Sequence, residues 1–429
     1  AAEVDQFDNT RVVMGINDDQ FEWTLGPGES FDAPEVIMTH SAEGFSRLSH
    51  VYHHFIRHNI CRGRHQLERR PVLINSWEAS YFDFTDETIV RLAEEAAPLG
   101  IEMLVMDDGW FGQRNNDRAG LGDWYVNENK IKCGLRRLIE QVNEKGLKFG
   151  IWMEPEMINE DSDLYREHPD WAFAMPGRGV GRTRNQLVLD MSRKEIVDYV
   201  YGCMEKILRE NNIEYLKWDM NRSLSDVYSC ALPPEKQGEV LHRFILGIYD
   251  LMDRITKNFP DLLIEGCSGG GARFDAGILC YSPQIWCSDD TDAMERLSIQ
   301  EGTALIYPPS AIGAHVSICP NHIVGRTTDF RTRGYVALAG TFGYELDITK
   351  LSDDEKSMIK EQVADYKRYN HIVREGDYYR ITSSSGLVPK YDGECSYSWM
   401  CVAKDKSEAL YTYVQERGNA NKRPGDRTK

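Results

Sequence analysis

At 429 residues, with 50 basic and 68 acidic side chains and a formal net charge of −18, the chain is long enough for one large barrel with partial flanks or for two to three smaller domains. The acidic surplus excludes a phosphate-reading surface and fits a neutral or cationic ligand such as a sugar, with neither nucleic acid nor membrane as partner. No apolar run approaches the ~18 residues of a membrane span and no basic-plus-apolar leader is visible, so a cytoplasmic location is expected.

In chain order, residues 1–66 read as the end of a β domain and a linker helix. Val12 to Ile16, the alternating Phe21, Trp23 and Leu25, and Pro34 to Thr39 suggest strands, and Phe45 to Ile60 suggests an amphipathic helix. These few strands cannot close a sandwich alone. His50, His53, His54 and His58 lie on one side of that helix; without a recognisable zinc pattern they read as a polar face, and no metal or other cofactor is expected. The ten cysteines form no Cys-x-x-Cys pair and read as reduced thiols.

From 67 to 375, apolar strand-like runs alternate with helical stretches. The strand candidates are Val72–Trp77, Glu102–Asp107, Lys148–Glu154, Tyr215–Asp219, Leu262–Cys267, Gln284–Ser288, Ala311–Ser317 and Phe342–Leu346. Eight strands alternating with helices predict an α/β fold, a (β/α)₈ barrel of the kind that takes about 250 residues before insertions. Helices are expected over Asp86–Ala97, with acids in its first turn, and Arg193–Glu210, with Ser192 and Glu195 in capping-box spacing. An open doubly wound sheet is the rival, but no Gly-rich dinucleotide fingerprint follows the first strand, and Ser268-Gly269-Gly270-Gly271 lacks the P-loop pattern. Residues 376–429 return to β, with Tyr378–Ile381, Tyr397–Val402 and Ala409–Val414 as strands and Gly418–Lys429 as an unstructured polar tail. The β regions at both ends read as cut short.

Barrel chemistry sits at C-terminal strand ends, where Trp77, Asp107, Asp108, Trp152, Asp219, Cys267 and Asp289 fall. Strand alternation puts Lys217 and Asp219 on one face and Leu216 and Trp218 on the other. Lys217 would hold Asp219 ionised as a nucleophile, whereas an acid beside Trp286 would have its pKa raised. That pairing is what a retaining glycosidase needs: one carboxylate to attack, one carboxylic acid to protonate the departing oxygen. The plain alternative is that both aspartates are helix caps or loop ion pairs. Glu154 and Glu156 also end a strand, but Pro155 turns the chain there, and they rank as supporting groups.

Five runs then resemble one family: Asn75-Ser76-Trp77-Glu78-Ala79, Met106-Asp107-Asp108-Gly109-Trp110-Phe111-Gly112, Gly150-Ile151-Trp152-Met153-Glu154-Pro155-Glu156, Lys217-Trp218-Asp219-Met220-Asn221 and Glu265-Gly266-Cys267-Ser268-Gly269-Gly270-Gly271. In this order they resemble the α-galactosidases (melibiases) of glycoside hydrolase family 36, over almost the whole chain. The resemblance implies Asp219 as nucleophile and Asp289 as acid/base, with Trp77, Asp107, Asp108, Trp152, Arg184, Lys217, Asn221, Cys267, Gly269 and Gly270 on the sugar. It implies a terminal α-galactoside as substrate, no cofactor, and a homo-oligomer, a tetramer, in the intact protein.

Physics attaches a role to each. An acidic pair can accept from the axial 4-hydroxyl and the 6-hydroxyl of galactose, and indoles offer flat faces to a pyranose. The resemblance puts Cys267 on the 2-hydroxyl, and glycines let backbone approach the ligand. Without the resemblance, Asp107-Asp108 could hold Mg²⁺ or Ca²⁺, Trp77 and Trp152 could be packing, Cys267 an inert thiol and Arg184 a surface arginine. A galactosyl transferase of the raffinose-synthase kind or an α-N-acetylgalactosaminidase would use the same barrel; a noncatalytic sugar-binding barrel would lack one of the two aspartates, and a metal-dependent lyase or isomerase is the alternative of another class.

Overall fold

The computed structural model describes residues 2–386 and 395–417. An antiparallel hairpin of β1 (Ala2–Val4) and β2 (Thr10–Val12) comes first. Among the described residues no other strand precedes residue 73, so the strands expected at Phe21–Leu25 and Pro34–Thr39 do not form, and that at Val12–Ile16 is limited to Val12. The alternation there marks one-sided aromatic burial; the Glu22 amide donates to the Gly238 carbonyl at 3.2 Å, but no strand ladder forms. Phe21, Trp23 and Phe31 gather around His242, whose ring lies 5.4 Å from that of Trp23, and the Arg243 guanidinium lies 4.7 Å over the same indole. The linker helix runs Gly44–Phe55 and continues as a π-helical turn to Ile60. Its histidines diverge: His50 and His53 meet the carbonyls of Tyr378 and Ala304, each at 2.9 Å, while His54 and His58 lie against one another.

All eight expected barrel strands are present. They are β3 (Leu73–Asn75), β4 (Met103–Met106) and β5 (Lys148–Met153), then, after a side hairpin of β6 (Met157–Ile158) and β7 (Leu187–Val188), β8 (Tyr215–Trp218), β9 (Leu263–Gly266), β10 (Gln284–Trp286), β11 (Ile312–Ser317) and β12 (Thr341–Glu345). The eight are parallel, and the ring closes from β12 back onto β3 through Gly343 opposite Leu73.

Helices cover the outside. The one over Asp86–Ala96 is capped by Thr85, whose hydroxyl accepts from the Thr88 amide, and Asp86 and Glu87 place negative charge on its N-terminal dipole. The helix over Lys194–Glu210 starts without the expected Ser192–Glu195 box. The Ser192 hydroxyl is taken by Asp190, and Glu195 pairs with Arg193 at 2.8 Å.

Period-two alternation sorts the strand residues. Inward-facing Leu73, Met103, Val105, Tyr215 and Leu263 form a small apolar plug. Outward-facing Ile74, Leu104, Met106, Leu216, Trp218 and Ile264 join the large core beneath the helices. One step further along the inward face the residues turn polar: Asn75, Asp107, Lys217 and Glu265, with His315 and Glu345 on the later strands, all buried. The plug closes one end and the polar layer floors the other, which fixes where a ligand can sit.

After the helix Asp353–Glu375 comes a three-stranded antiparallel meander of β13 (Asp377–Thr382), β14 (Cys395–Val402) and β15 (Ala409–Arg417). It contains the three strands expected there and packs Tyr378, Trp399 and Cys401 against barrel-side residues such as Leu297 and Val373. The tail expected over 418–429 lies outside the described residues. No described helix is long and apolar enough to cross a membrane.

Candidate active site

A cavity of about 330 Å³ opens above the polar layer and is lined by Trp77, Asp107, Asp108, Trp152, Arg184, Lys217, Asp219, Asn221, Trp286 and Asp289, room enough for a sugar-sized ligand. Of the twelve residues singled out in the sequence, Cys267, Gly269 and Gly270 stand outside this lining.

Asp219, one residue past β8, is buried and surrounded by donors. Its Oδ2 accepts from Asn221 Nδ2 at 2.7 Å and Trp152 Nε1 at 3.1 Å. Its Oδ1 accepts from the Met220 amide at 2.8 Å and, more distantly, the Gly269 amide at 3.4 Å. Burial by itself would raise its pKa. The Lys217 charge and hydrogen bonds from Cys267, Asn221 and Met220 outweigh it, so the carboxyl titrates below the usual range. The direct partner of Lys217 is nonetheless Asp107, at 2.8 Å, and it acts on Asp219 through space.

Asp289, three residues past β10, is open to the cavity and to solvent. Protein still crowds it: partial desolvation, the Asp219 charge and, more weakly, Glu345 raise its pKa against the opposing pull of Lys217 and Arg184. Among the described residues no donor reaches its carboxyl. One carboxylate is therefore held ionised and the other biased towards its acid form, facing the same cavity.

The acidic pair is anchored by two cations. Asp107 Oδ2 accepts from Lys217 and, at 2.7 Å, from Asn75 Nδ2. Asp108 is gripped by Arg114 through Nε at 2.9 Å and Nη2 at 2.8 Å, and that arginine also donates to Asn159. With an ammonium and a guanidinium already in place, the pair makes a poor cage for a divalent cation. Spare lone pairs face the cavity.

The remaining candidates take distinct places around the cavity. Trp152 is 2% exposed, lies parallel to Phe111 and gives its N–H to Asp219, so its polar atom is committed to the carboxylate while the residue also lines the cavity. Trp77 is half-buried, braced edge-on by Phe82 at 5.2 Å, and lines the cavity. The Cys267 thiol is buried against Asp219, and burial together with Asp219 and Asp289 holds it protonated, a donor. At Gly270, φ is +88°, and an added Cβ would come within 2.8 Å of Ser288 Cα and 2.9 Å of the Asp289 amide. The close neighbour that this glycine admits is the backbone carrying Asp289. Arg184, at φ +53°, reaches Asn221 Oδ1 at 3.1 Å.

Glu154 and Glu156 are fully buried and do not line the cavity. Glu156 pairs with Arg273 at 2.7 Å, and Glu154, its pKa pushed up to about 8 by burial and then by Asp219, accepts from the Asn221 amide. The sequence reading missed Arg114, Glu78, His322 and Glu345, all in the lining. Glu345 was findable as the inward position on β12; Arg114, in a loop, carries no such signal.

The chain matches the family model described as Melibiase over residues 30–376. The chain belongs to the melibiase family. Among its relatives in the family are the bifunctional alpha-galactosidase/sucrose kinase AgaSK of Mediterraneibacter gnavus, 54% identical over 98% of this chain and 43% of that protein, and alpha-galactosidase AgaA of Geobacillus stearothermophilus, 52% identical over 98% of this chain and 56% of that one. The crystal structure of AgaA superposes with a TM-score of 0.95, covering 98% of this chain and 58% of that chain, and a variant of AgaA has been solved in complex with raffinose. This melibiase-family chain thus spans about half the length of the curated relatives it matches.

Proposed function

We propose that this chain carries the active site of a retaining, exo-acting α-galactosidase that removes terminal α-galactosyl residues from melibiose- and raffinose-type oligosaccharides. The observation that carries the reading is the opposite bias of two carboxyls facing one cavity, Asp219 with its pKa lowered by Lys217 and its hydrogen bonds, and Asp289 with its pKa raised by desolvation and the Asp219 charge. In the first step Asp219 attacks the anomeric carbon while Asp289 gives its proton to the departing glycosidic oxygen, leaving a β-galactosyl ester on Asp219. In the second, Asp289, now a carboxylate, takes a proton from water, which attacks the same carbon; α-galactose leaves and both groups are restored. No cofactor enters this scheme.

Asp107 and Asp108 accept from the 4- and 6-hydroxyls, Trp77 stacks on the ring, and Lys217 and Arg184 complete the polar contacts. Trp152, Asn221, Cys267 and the Gly269 amide set the nucleophile, and Gly270 sets the wall behind Asp289. The names of the curated relatives support the substrate class, as does the raffinose complex of AgaA. Residues 1–66, 67–375 and 376–429 are proposed as the end of a β-supersandwich, the catalytic barrel and the start of a C-terminal sheet. The cytoplasm is the proposed location, supported by ten unpaired cysteines. Association of copies, as in a tetramer, is proposed for the intact protein.

Paired kcat/KM values for an aryl α-galactoside, α-glucoside and α-N-acetylgalactosaminide test the assignment. A site built on hydrogen bonds to one epimer can reject the other by up to about 10⁴- to 10⁵-fold. Comparable values for galactoside and glucoside would remove the role of the acidic pair. NMR of the first-formed anomer should show α-galactose; β-galactose would overturn the double displacement.

A further inference from the structure

We propose that Arg296 is the positioning residue for the acid/base, acting through the backbone on either side of Asp289; this rests on the reading of Asp289 as the acid. Arg296 stands in the first turn of the helix Ala293–Thr303 and is 3% exposed. Its Nη2 donates to the carbonyl of Ser288 and its Nε to the carbonyl of Asp290, both at 2.7 Å. Its Nη1 reaches across to the Gly313 carbonyl on β11 at 2.9 Å, and the guanidinium lies 4.3 Å over the Trp286 ring. The residues immediately before and after Asp289 are thereby tied to one rigid fork, which is itself tied to the neighbouring barrel strand.

Among the described residues no carboxylate forms an ion pair with Arg296, although a buried cation is costly without one. Two of its donors go to the carbonyls flanking a single side chain, and the third nitrogen meets the Gly313 carbonyl and, at 3.0 Å, Cys287 Sγ. A lysine could not replace it, because only the planar fork presents donors to both carbonyls at once.

The rest of the loop is fixed from the other sides. Thr291 gives its hydroxyl to the buried Glu78 at 2.8 Å and accepts through its carbonyl from Ser317 at 3.0 Å, and Gly270 packs against Ser288 and Asp289 from behind. None of these contacts touches the Asp289 carboxyl. That separation matters to an acid that must also serve as a base. A donor on the carboxyl would favour its ionised form in both steps, whereas a grip on the backbone places the oxygen without biasing its proton.

The experiment compares Arg296→Lys, Arg296→Met and Asp289→Ala with the parent in the intact protein, using kcat/KM on a disaccharide with a poor leaving group and on a dinitrophenyl α-galactoside that needs no protonation. A displaced acid of about 1 Å costs about 10²-fold. We expect Arg296→Lys and Arg296→Met to lose 10- to 100-fold on the disaccharide and several-fold at most on the activated substrate, and a third variant, Arg296→Ala, to lose as much and to recover disaccharide activity with added guanidinium. The alkaline limb of the pH profile should persist in all Arg296 variants, because Asp289 still titrates. Equal losses on the two substrates, or parent-like rates, in the Arg296 variants while Asp289→Ala shows the split would overturn the positioning role and leave the acid assignment standing. If Asp289→Ala itself shows no split, the acid assignment falls and the proposal with it.

Discussion

At the end of β8, Asp219 is held by its own carboxylate, through Trp152, Asn221, the Met220 amide and the Cys267 thiol. At the end of β10, Asp289 is held by its neighbours' carbonyls, and its carboxyl is left facing solvent. The difference follows from the chemistry each end would perform. A nucleophile keeps one charge state until it reacts, so every donor that stabilises its anion also helps to place it. An acid/base must change charge twice per turnover. The same barrel rim thus supports one rigidly solvated anion and one carboxyl whose proton is free to move.

Removing the anion should have the largest effect. Asp219→Ala is expected to cost at least about 10⁴-fold in kcat on an aryl galactoside, as loss of a nucleophile generally does, with sugar binding retained. Azide should restore part of the rate by entering the vacated space and yield the inverted β-galactosyl azide. A variant as fast as the parent would place the nucleophile elsewhere.

Removing the acid should cost less and more selectively. Asp289→Ala is expected to lose about 10² to 10⁴ on a disaccharide, the usual worth of a general acid, and much less on an activated aryl substrate. The pH dependence separates the two ends. Asp219 must be ionised and its pKa is lowered, so activity falls only when pH drops below the ordinary aspartate range. Asp289 must be protonated and its pKa is raised, so the alkaline limb begins above that range. In kcat/KM, Asp289→Ala should abolish the alkaline limb and keep the acid one; loss of both would break the division of roles.

Asn221→Ala sharpens the comparison from the nucleophile's side. It deletes a 2.7 Å hydrogen bond to Asp219 and one of the groups that lower its pKa. A hydrogen bond to a charged group is worth about 1.5 to 3 kcal/mol, so kcat/KM should fall roughly 10- to 100-fold and the acid limb should move to higher pH. An unshifted acid limb would mean that Asn221 serves the sugar alone.

The barrel was legible because each strand is an apolar run ending at a polar residue, and Lys217 and Asp219 fell on one face by simple alternation. The same rule misled near the N-terminus. Phe21 and Trp23 alternate as strand residues do, but what they bury against is the helix bearing His242 and Arg243, and burial on one face supplies no ladder of backbone partners. Ser192 failed as a cap for a related reason: its hydroxyl had a nearer acceptor in Asp190, a competition that spacing does not reveal. Which way Trp152 spends its N–H, and that Gly270 makes room for the backbone of Ser288 and Asp289, depends on contacts between strands far apart in sequence. Arg114 and Arg296 were silent in the sequence, since a buried arginine is recognised only by what its donors meet.

The smallest effect expected concerns stability, at a group behind the nucleophile. Glu154 is fully buried, and burial followed by the Asp219 charge pushes its pKa from 4.5 up to about 8. Because the folded value is the higher one, the native state binds the extra proton. The stability this contributes is complete below about 4.5, declines as pH rises between the two values, and is lost once pH passes about 8. Glu154→Gln replaces the neutral acid with a neutral amide that can still accept from the Asn221 amide. Its Tm should match the parent's at pH 5 and exceed it by a few °C at pH 9, because roughly 1 kcal/mol moves the Tm of a chain of this size by about 1 °C and the shift of Glu154 is worth a few times that. Activity at pH 6 should change little, since the group makes no contact with the cavity. A Tm difference that does not vary with pH would show that Glu154 is ionised in the folded protein, and the low pKa of Asp219 would then have been achieved against a second buried charge.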